Sequence, residues 1–187
     1  MIQPCPFSQE DLDIIKLHIK EPIRTIFFGK FRQYQFNIYE DLDLSYPPII
    51  GVDVAGATFN DSSAITVIDS RTTRVCATLN CNCIPADDLA QVIYELVTKY
   101  MPNAILAIER NANGEAVLDH LRDSEIRGNL YFDNSKDLQV DDKLDGQGFI
   151  RQESARRRLY GKIMPYNIVI YYRIFPKCGE ISLNYNY

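Results

Sequence analysis

Two acids stand at the ends of short apolar runs, and their placement is the chemistry-bearing feature of this 187-residue chain. Ile49-Ile50-Gly51-Val52 leads onto Asp53, and Ala104-Ile105-Leu106-Ala107-Ile108 leads onto Glu109. An apolar strand has no use for a carboxylate at its tip unless something cationic meets it there. The first run continues through a glycine-containing loop, residues 56–63, into a second apolar run, Ala64 to Asp69. The second continues into Arg110-Asn111-Ala112-Asn113-Gly114-Glu115. This arrangement points to a metal site at strand ends. Neighbouring strands lie about 4.8 Å apart, so Asp53 and Glu109 share one rim if their strands are adjacent and parallel. Two such anions at about 4 Å would repel by about 4 kcal/mol at an effective dielectric of 20, so their proximity makes sense only with a cation. Hard Mg2+ or Mn2+ takes oxygen ligands. Two such ions about 3.5–4 Å apart supply the nucleophile and the charge neutralisation that phosphodiester hydrolysis requires.

The elements that must hold these acids are legible from periodicity and punctuation. Strands are expected at about 49–55, 63–69 and 74–80, the last two joined by a turn of hairpin length, Ser70-Arg71-Thr72-Thr73. Pro85 is placed to open a helix, with Asp87 and Asp88 at its positive end. Leu89, Val92, Ile93, Leu96 and Tyr100 repeat along it at core spacing until Met101-Pro102. After the Glu109 strand, Asn113 is placed to cap a short helix with Val117, Leu118 and Leu121 inward, and Leu130-Tyr131-Phe132 reads as a fifth strand. Upstream, residues 7–21 read as a helix capped by Ser8, with Leu12, Ile15 and Ile19 on one stripe, ended by Pro22. Arg24 to Phe28 and Phe31 to Tyr39 read as two strands around Gly29-Lys30, followed by a turn-rich connector. The order β-β-β-α-β-α-β is that of an α/β, ribonuclease H-like fold, a mixed five-stranded sheet flanked by helices. The Asp53 strand is expected in its centre, paired to both the 63–69 and the 104–109 strands.

Composition bounds the rest. A chain of this length buries roughly 70% of its unfolded surface, enough for one core. Its 46% hydrophobic and 24% charged residues are those of an ordinary globular protein. No run approaches 18 apolar residues and no signal peptide opens the chain, so a cytoplasmic protein without membrane contact is expected. The five cysteines include no C-x-x-C pair and have only two histidines beside them, so zinc is not expected and the thiols are read as reduced. Net charge is −5 but uneven: residues 1–147 carry 13 Lys+Arg against 23 Asp+Glu, and residues 148–187 carry 7 against 2. The basic tail, with Arg156, Arg157 and Arg158 in a helix over 153–162, either grips phosphates or is a solvated face.

Residue for residue, apolar-Gly51-Val52-Asp53-x-Ala55, the glycine loop, Asp61-x-Ser63-Ala64-Ile65 and Ile108-Glu109-Arg110-Asn111-x-x-Gly114 resemble the nuclease domain of viral large terminase subunits, over about residues 26–163. Gly51-Val52-Asp53 alone also opens sugar kinases and actin-like ATPases; the Glu109 block is the more specific half. The resemblance implies a metal-dependent endonuclease that cuts double-stranded DNA during phage packaging. Asp53 would bridge two Mg2+ or Mn2+ ions and Glu109 would hold one of them. Asp61 would be either an outer contributor to the metal site or a turn residue capping its own loop. Arg110 and Asn111 would order the acid or touch phosphate. It further implies residues 1–48 as a linker segment from an ATPase domain, residues 49–187 as the nuclease domain, the small subunit and portal as partners, and the host cytoplasm as the location.

The chain departs from the family pattern at its end. The family's third metal-binding acid lies late, and after residue 163 only Glu180 remains. Asp141-Asp142 precedes the Gly148-Phe149 element and is a poor substitute. The chain therefore reads as a truncated or frame-disrupted copy, weak or inactive. No Gly-x-x-x-x-Gly-Lys-Ser/Thr loop is present, so the ATPase half is not expected here. Two other readings stand beside the nuclease: a non-catalytic DNA-holding or motor-docking remnant, and an actin-like ATP-binding domain, for which no second phosphate loop is seen.

Overall fold

The structure, a computed structural model, describes residues 9–17, 19–110 and 112–131. Six strands form one sheet: β1 (Arg24–Phe28), β2 (Tyr34–Ile38), β3 (Ile49–Asp53), β4 (Ser63–Ile68), β5 (Val75–Cys81) and β6 (Ile105–Ile108). Their spatial order is β1-β2-β5-β4-β3-β6. Helices α1 (Gln9–Leu17), α2 (Ala86–Tyr100) and α3 (Ala112–Arg122) and a 3-10 turn (Glu125–Asn129) complete the described elements.

β3, β4 and β5 form the expected antiparallel meander, and β6 adds to β3 in parallel, so the Asp53 strand is interior and pairs with both predicted neighbours. The sheet has six strands rather than five. Arg24–Phe28 and Tyr34–Ile38, read from sequence as part of the linker segment, form a hairpin whose second strand is hydrogen-bonded to β5. The reason is burial: Phe28, Phe36 and Ile38 are in the same core as β3 to β6, and a hairpin with one apolar face is stable only on a sheet or helix. The expected fifth strand contracts to one parallel bridge, Leu106 to Leu130, with Tyr131 N donating to Leu106 O at 2.8 Å. The 3-10 turn consumes the residues ahead of it, and Phe132 lies outside the described residues.

Alternation along the strands separates two faces. Ile50, Val52, Ile65, Val67, Ala77, Leu79, Leu106 and Ile108 turn to one core face and pack with α2 and α3. Leu89, Val92, Ile93 and Leu96 carry the α2 side of that core at 0–2% exposure, each contributing about 1.5–3 kcal/mol. Pro85 is the residue before α2, its carbonyl accepting the Leu89 N–H at 2.9 Å. α3 begins at Ala112, so Asn113 sits in its first turn rather than at its cap. α1 ends at Leu17, short of the predicted stop at Pro22, and Ile19 beyond it is exposed. Among the described residues no helix is long and apolar enough to cross a membrane.

Candidate metal centre

Parallel pairing fixes how Asp53 and Glu109 meet. The register runs Ile49 to Ile105, Gly51 to Ala107 and Val52 to Ile108, so Asp53, the last residue of β3, and Glu109, the residue after β6, lie at the same end of neighbouring strands. The Glu109 N–H donates to the Val52 carbonyl at 2.9 Å, carrying the ladder to that end. Since successive side chains alternate and Val52 and Ile108 are buried in the core, Asp53 and Glu109 rise from the opposite face, both half-buried. Beneath them on that face lie Gly51 and Ala107, with Ala64 beside Asp53 in the β3–β4 register. A carbon added at Gly51 would find nothing nearer than the Thr66 carbonyl at 3.9 Å. Asp53 and Glu109 are therefore at the same end of two adjacent strands, with the small residues Gly51, Ala64 and Ala107 nearest them in register, and carboxylates are hard oxygen donors. That donor set fits Mg2+ or Mn2+.

The loop after β3 is tied down at both ends. Ser63, 1% exposed, accepts the Ala55 N–H on its Oγ at 2.9 Å, which fixes the chain as it leaves Asp53. Phe59 N donates to the Asn82 carbonyl at 3.0 Å, and Ala57 and Phe59 take left-handed backbone angles of 53° and 65°. Gly56 passes beside α3, where an added carbon would stand 3.6 Å from Asn113 Nδ2. Asp61 is exposed in this loop. Among the described residues no three His, Cys, Asp or Glu side chains gather as a metal cluster.

Arg110 turns to protein rather than to open solvent. Its Nε donates to Glu115 Oε2 at 3.3 Å, and Glu115 also accepts from Arg122 at 2.6 Å, which in turn bonds Asp119. Burial pushes the Glu115 carboxyl up, but its bond to Arg122 and the charges of Arg122 and Arg110 outweigh that and hold it below the ordinary carboxylate range. This network, which sequence reading missed, clamps the turn after Glu109 to α3. Glu115 and Arg122 show as an i, i+7 pair in the sequence, but only the fold brings Arg110 to them. Asn111, Arg156, Arg157 and Arg158 lie outside the described residues. Cys76, Cys81 and Cys83 are free thiols.

No family model matches the chain, and no curated protein matches it by sequence. Among solved structures it is similar to the large terminase nuclease from thermophilic phage G20c with bound magnesium. The identity is 16% and the TM-score 0.51, with 86% of this chain and 69% of that chain covered. The same nuclease with bound cobalt matches at 16% identity and a TM-score of 0.50, with the same coverage. At this identity the likeness is one of fold. The chain has the ribonuclease H-like fold of phage large-terminase nuclease domains.

Proposed function

We propose that the chain is the metal-dependent endonuclease domain of a phage DNA-packaging terminase, cutting double-stranded DNA. The observation that supports this reading is the parallel pairing of β3 with β6 in that fold, which brings the ends of the strands that lead to Asp53 and Glu109 together. Asp53, reached by both neighbouring strands, would hold both Mg2+ or Mn2+ ions and Glu109 one of them. Bound divalent ions would supply a water acidic enough to attack phosphorus and neutralise charge on the phosphate. The protein's own part is to keep two anions together at the rim, through the Glu109-to-Val52 hydrogen bond and the Ser63 clamp, and to leave small residues beneath them. Arg110, the residue after Glu109, is held by Glu115 of α3 and so ties the chain leaving Glu109 to that helix. The ATPase domain, small subunit and portal would be its partners in the host cytoplasm, with the residues ahead of β1 leading from the motor.

A second reading is a DNA-holding or motor-docking module without catalysis. The test compares cleavage of duplex DNA with Mg2+, with Mn2+ and with chelator, alongside Mn2+ binding by calorimetry, for the chain, Asp53→Ala and Glu109→Ala. The proposal expects metal-dependent, sequence-tolerant cleavage, lost in both variants together with Mn2+ binding. Cleavage that survives either substitution refutes the site. DNA binding with no metal-dependent cleavage selects the second reading.

A further inference from the structure

The β1–β2 hairpin carries a concentration of unpaired positive charge. Residues 22–39 hold Arg24, Lys30 and Arg32 and no acid, in a chain of net charge −5. Elsewhere among the described residues every lysine and arginine except Arg127 meets a carboxylate. Arg24, Lys30 and Arg32 make no ion pair there, and Lys30 and Arg32 lie over aromatic rings instead, Lys30 at 5.6 Å from Phe31 and Arg32 at 6.0 Å from Phe27. Both rings are exposed, Phe31 at 79%. A solvent-facing cation pair on aromatic supports, with no ion pair among the described residues, is a surface poised for an anion.

The tip is a built turn. Gly29 has φ +85°, and a carbon added there would fall 2.7 Å from Gln33 Oε1 and 2.8 Å from the Tyr34 ring. Arg32 N donates to the Gly29 carbonyl at 3.0 Å, and Phe31 N donates to Gln33 Oε1 at 2.9 Å. At the base, the Tyr34 hydroxyl donates to Asp88 at the start of α2, so the acid that reaches the hairpin is already engaged.

Topology sets where this tip points. β3 runs up to Asp53, β4 runs down from Ser63, β5 runs up to Cys81, and β2 runs down from Tyr34. The turn joining β1 to β2 is therefore at the same end of the sheet as Asp53 and Glu109. Three to four strand spacings separate it from Asp53, roughly 15–20 Å. At about 3.4 Å per base pair that is some five base pairs along a duplex.

We infer that the hairpin tip, through Lys30 and Arg32, grips the phosphate backbone of DNA lying across the carboxylate end of the sheet. The inference rests on the nuclease-domain reading for the identity of the anion as DNA, and only for that. Phosphate contacts orient a duplex without reading its sequence, as a sequence-tolerant cutter needs.

The test measures binding of a labelled 30-base-pair duplex by fluorescence anisotropy, in chelator, over a series of KCl concentrations. It uses the full chain, Lys30→Gln/Arg32→Gln and the swap Lys30→Arg/Arg32→Lys. Each lost phosphate contact lowers the slope of log K against log salt by about 0.9, so the double Gln variant should lose about 1.8 while the swap keeps the parent slope. Circular dichroism melts of all three should coincide, since both side chains are exposed. An unchanged slope in the Gln variant overturns the inference and leaves the nuclease reading standing, with the hairpin then a protein-docking edge. A chain that does not bind DNA at all overturns both. A reduced slope in a chain that binds but never cleaves upholds the hairpin and refutes the catalytic reading alone.

Discussion

Glu115→Gln removes one charge from the clamp behind Glu109 while keeping its shape. Glu115 is 35% exposed at its side chain, and its partners Arg110 and Arg122 are 14% and 18% exposed. A buried bond to a charged group is worth about 1.5–3 kcal/mol and an exposed ion pair about 0.2–1 kcal/mol. The 3.3 Å bond to Arg110 is long and the carboxylate partly solvated, and Asp119 still meets Arg122, so the expected loss is about 1–2 kcal/mol. For a chain of this size each kcal/mol moves Tm by about 2–4 °C, so the variant should melt about 2–8 °C lower at neutral pH. The pH dependence carries a sign. The folded carboxyl is held below its ordinary value, so the unfolded chain binds the proton more readily. The stabilisation is therefore complete above the unfolded value of about 4.3 and drains away as pH falls through the depressed folded one. Thermal melts of both proteins from neutral pH down to about pH 2 should converge in acid. A gap that persists unchanged into acid, or no gap at neutral pH, refutes the account of Glu115 as a charged clamp.

Ser63→Ala leaves the Ala55 N–H without its acceptor at a site 1% exposed, and should cost about 1–3 kcal/mol in urea denaturation; an unchanged midpoint would sink the view that Ser63 fixes the chain leaving Asp53. Gly29→Ala forces a left-handed angle on a residue with a side chain and drives its carbon against Gln33 and Tyr34, so a loss of about 1–2 kcal/mol or more is expected, read by the same method. Stability equal to the parent would mean that the hairpin turn is not held in the geometry described.

The acid-tipped strands, the meander, the α2 stripe and the two β3 partners were legible in the sequence because each rests on a local signal: an apolar run of strand length, a turn of hairpin length, a 3.6-residue repeat. Asp53 and Glu109 stood out for the same reason, as charges where an apolar run ends. Their meeting at one rim was expected only on the condition that their strands pair in parallel, and that condition was not legible. It depends on the register of β3 against β6, strands separated by two further strands and a helix, and a one-residue slip would have sent one of the acids into the core face. Pairing also decided the fate of the weaker segments. The hairpin over 24–38 joined the sheet because Phe28 and Phe36 had a core to enter, while Leu130-Tyr131 made one bridge because the 3-10 turn brought it to β6 only at Leu106. The Arg110–Glu115–Arg122 clamp and the common end shared by the hairpin tip and the carboxylates are likewise products of tertiary structure. Residue types set which groups could do chemistry; non-local strand pairing set which of them meet, because hydrogen-bonded register has no counterpart in the periodicity of any single segment.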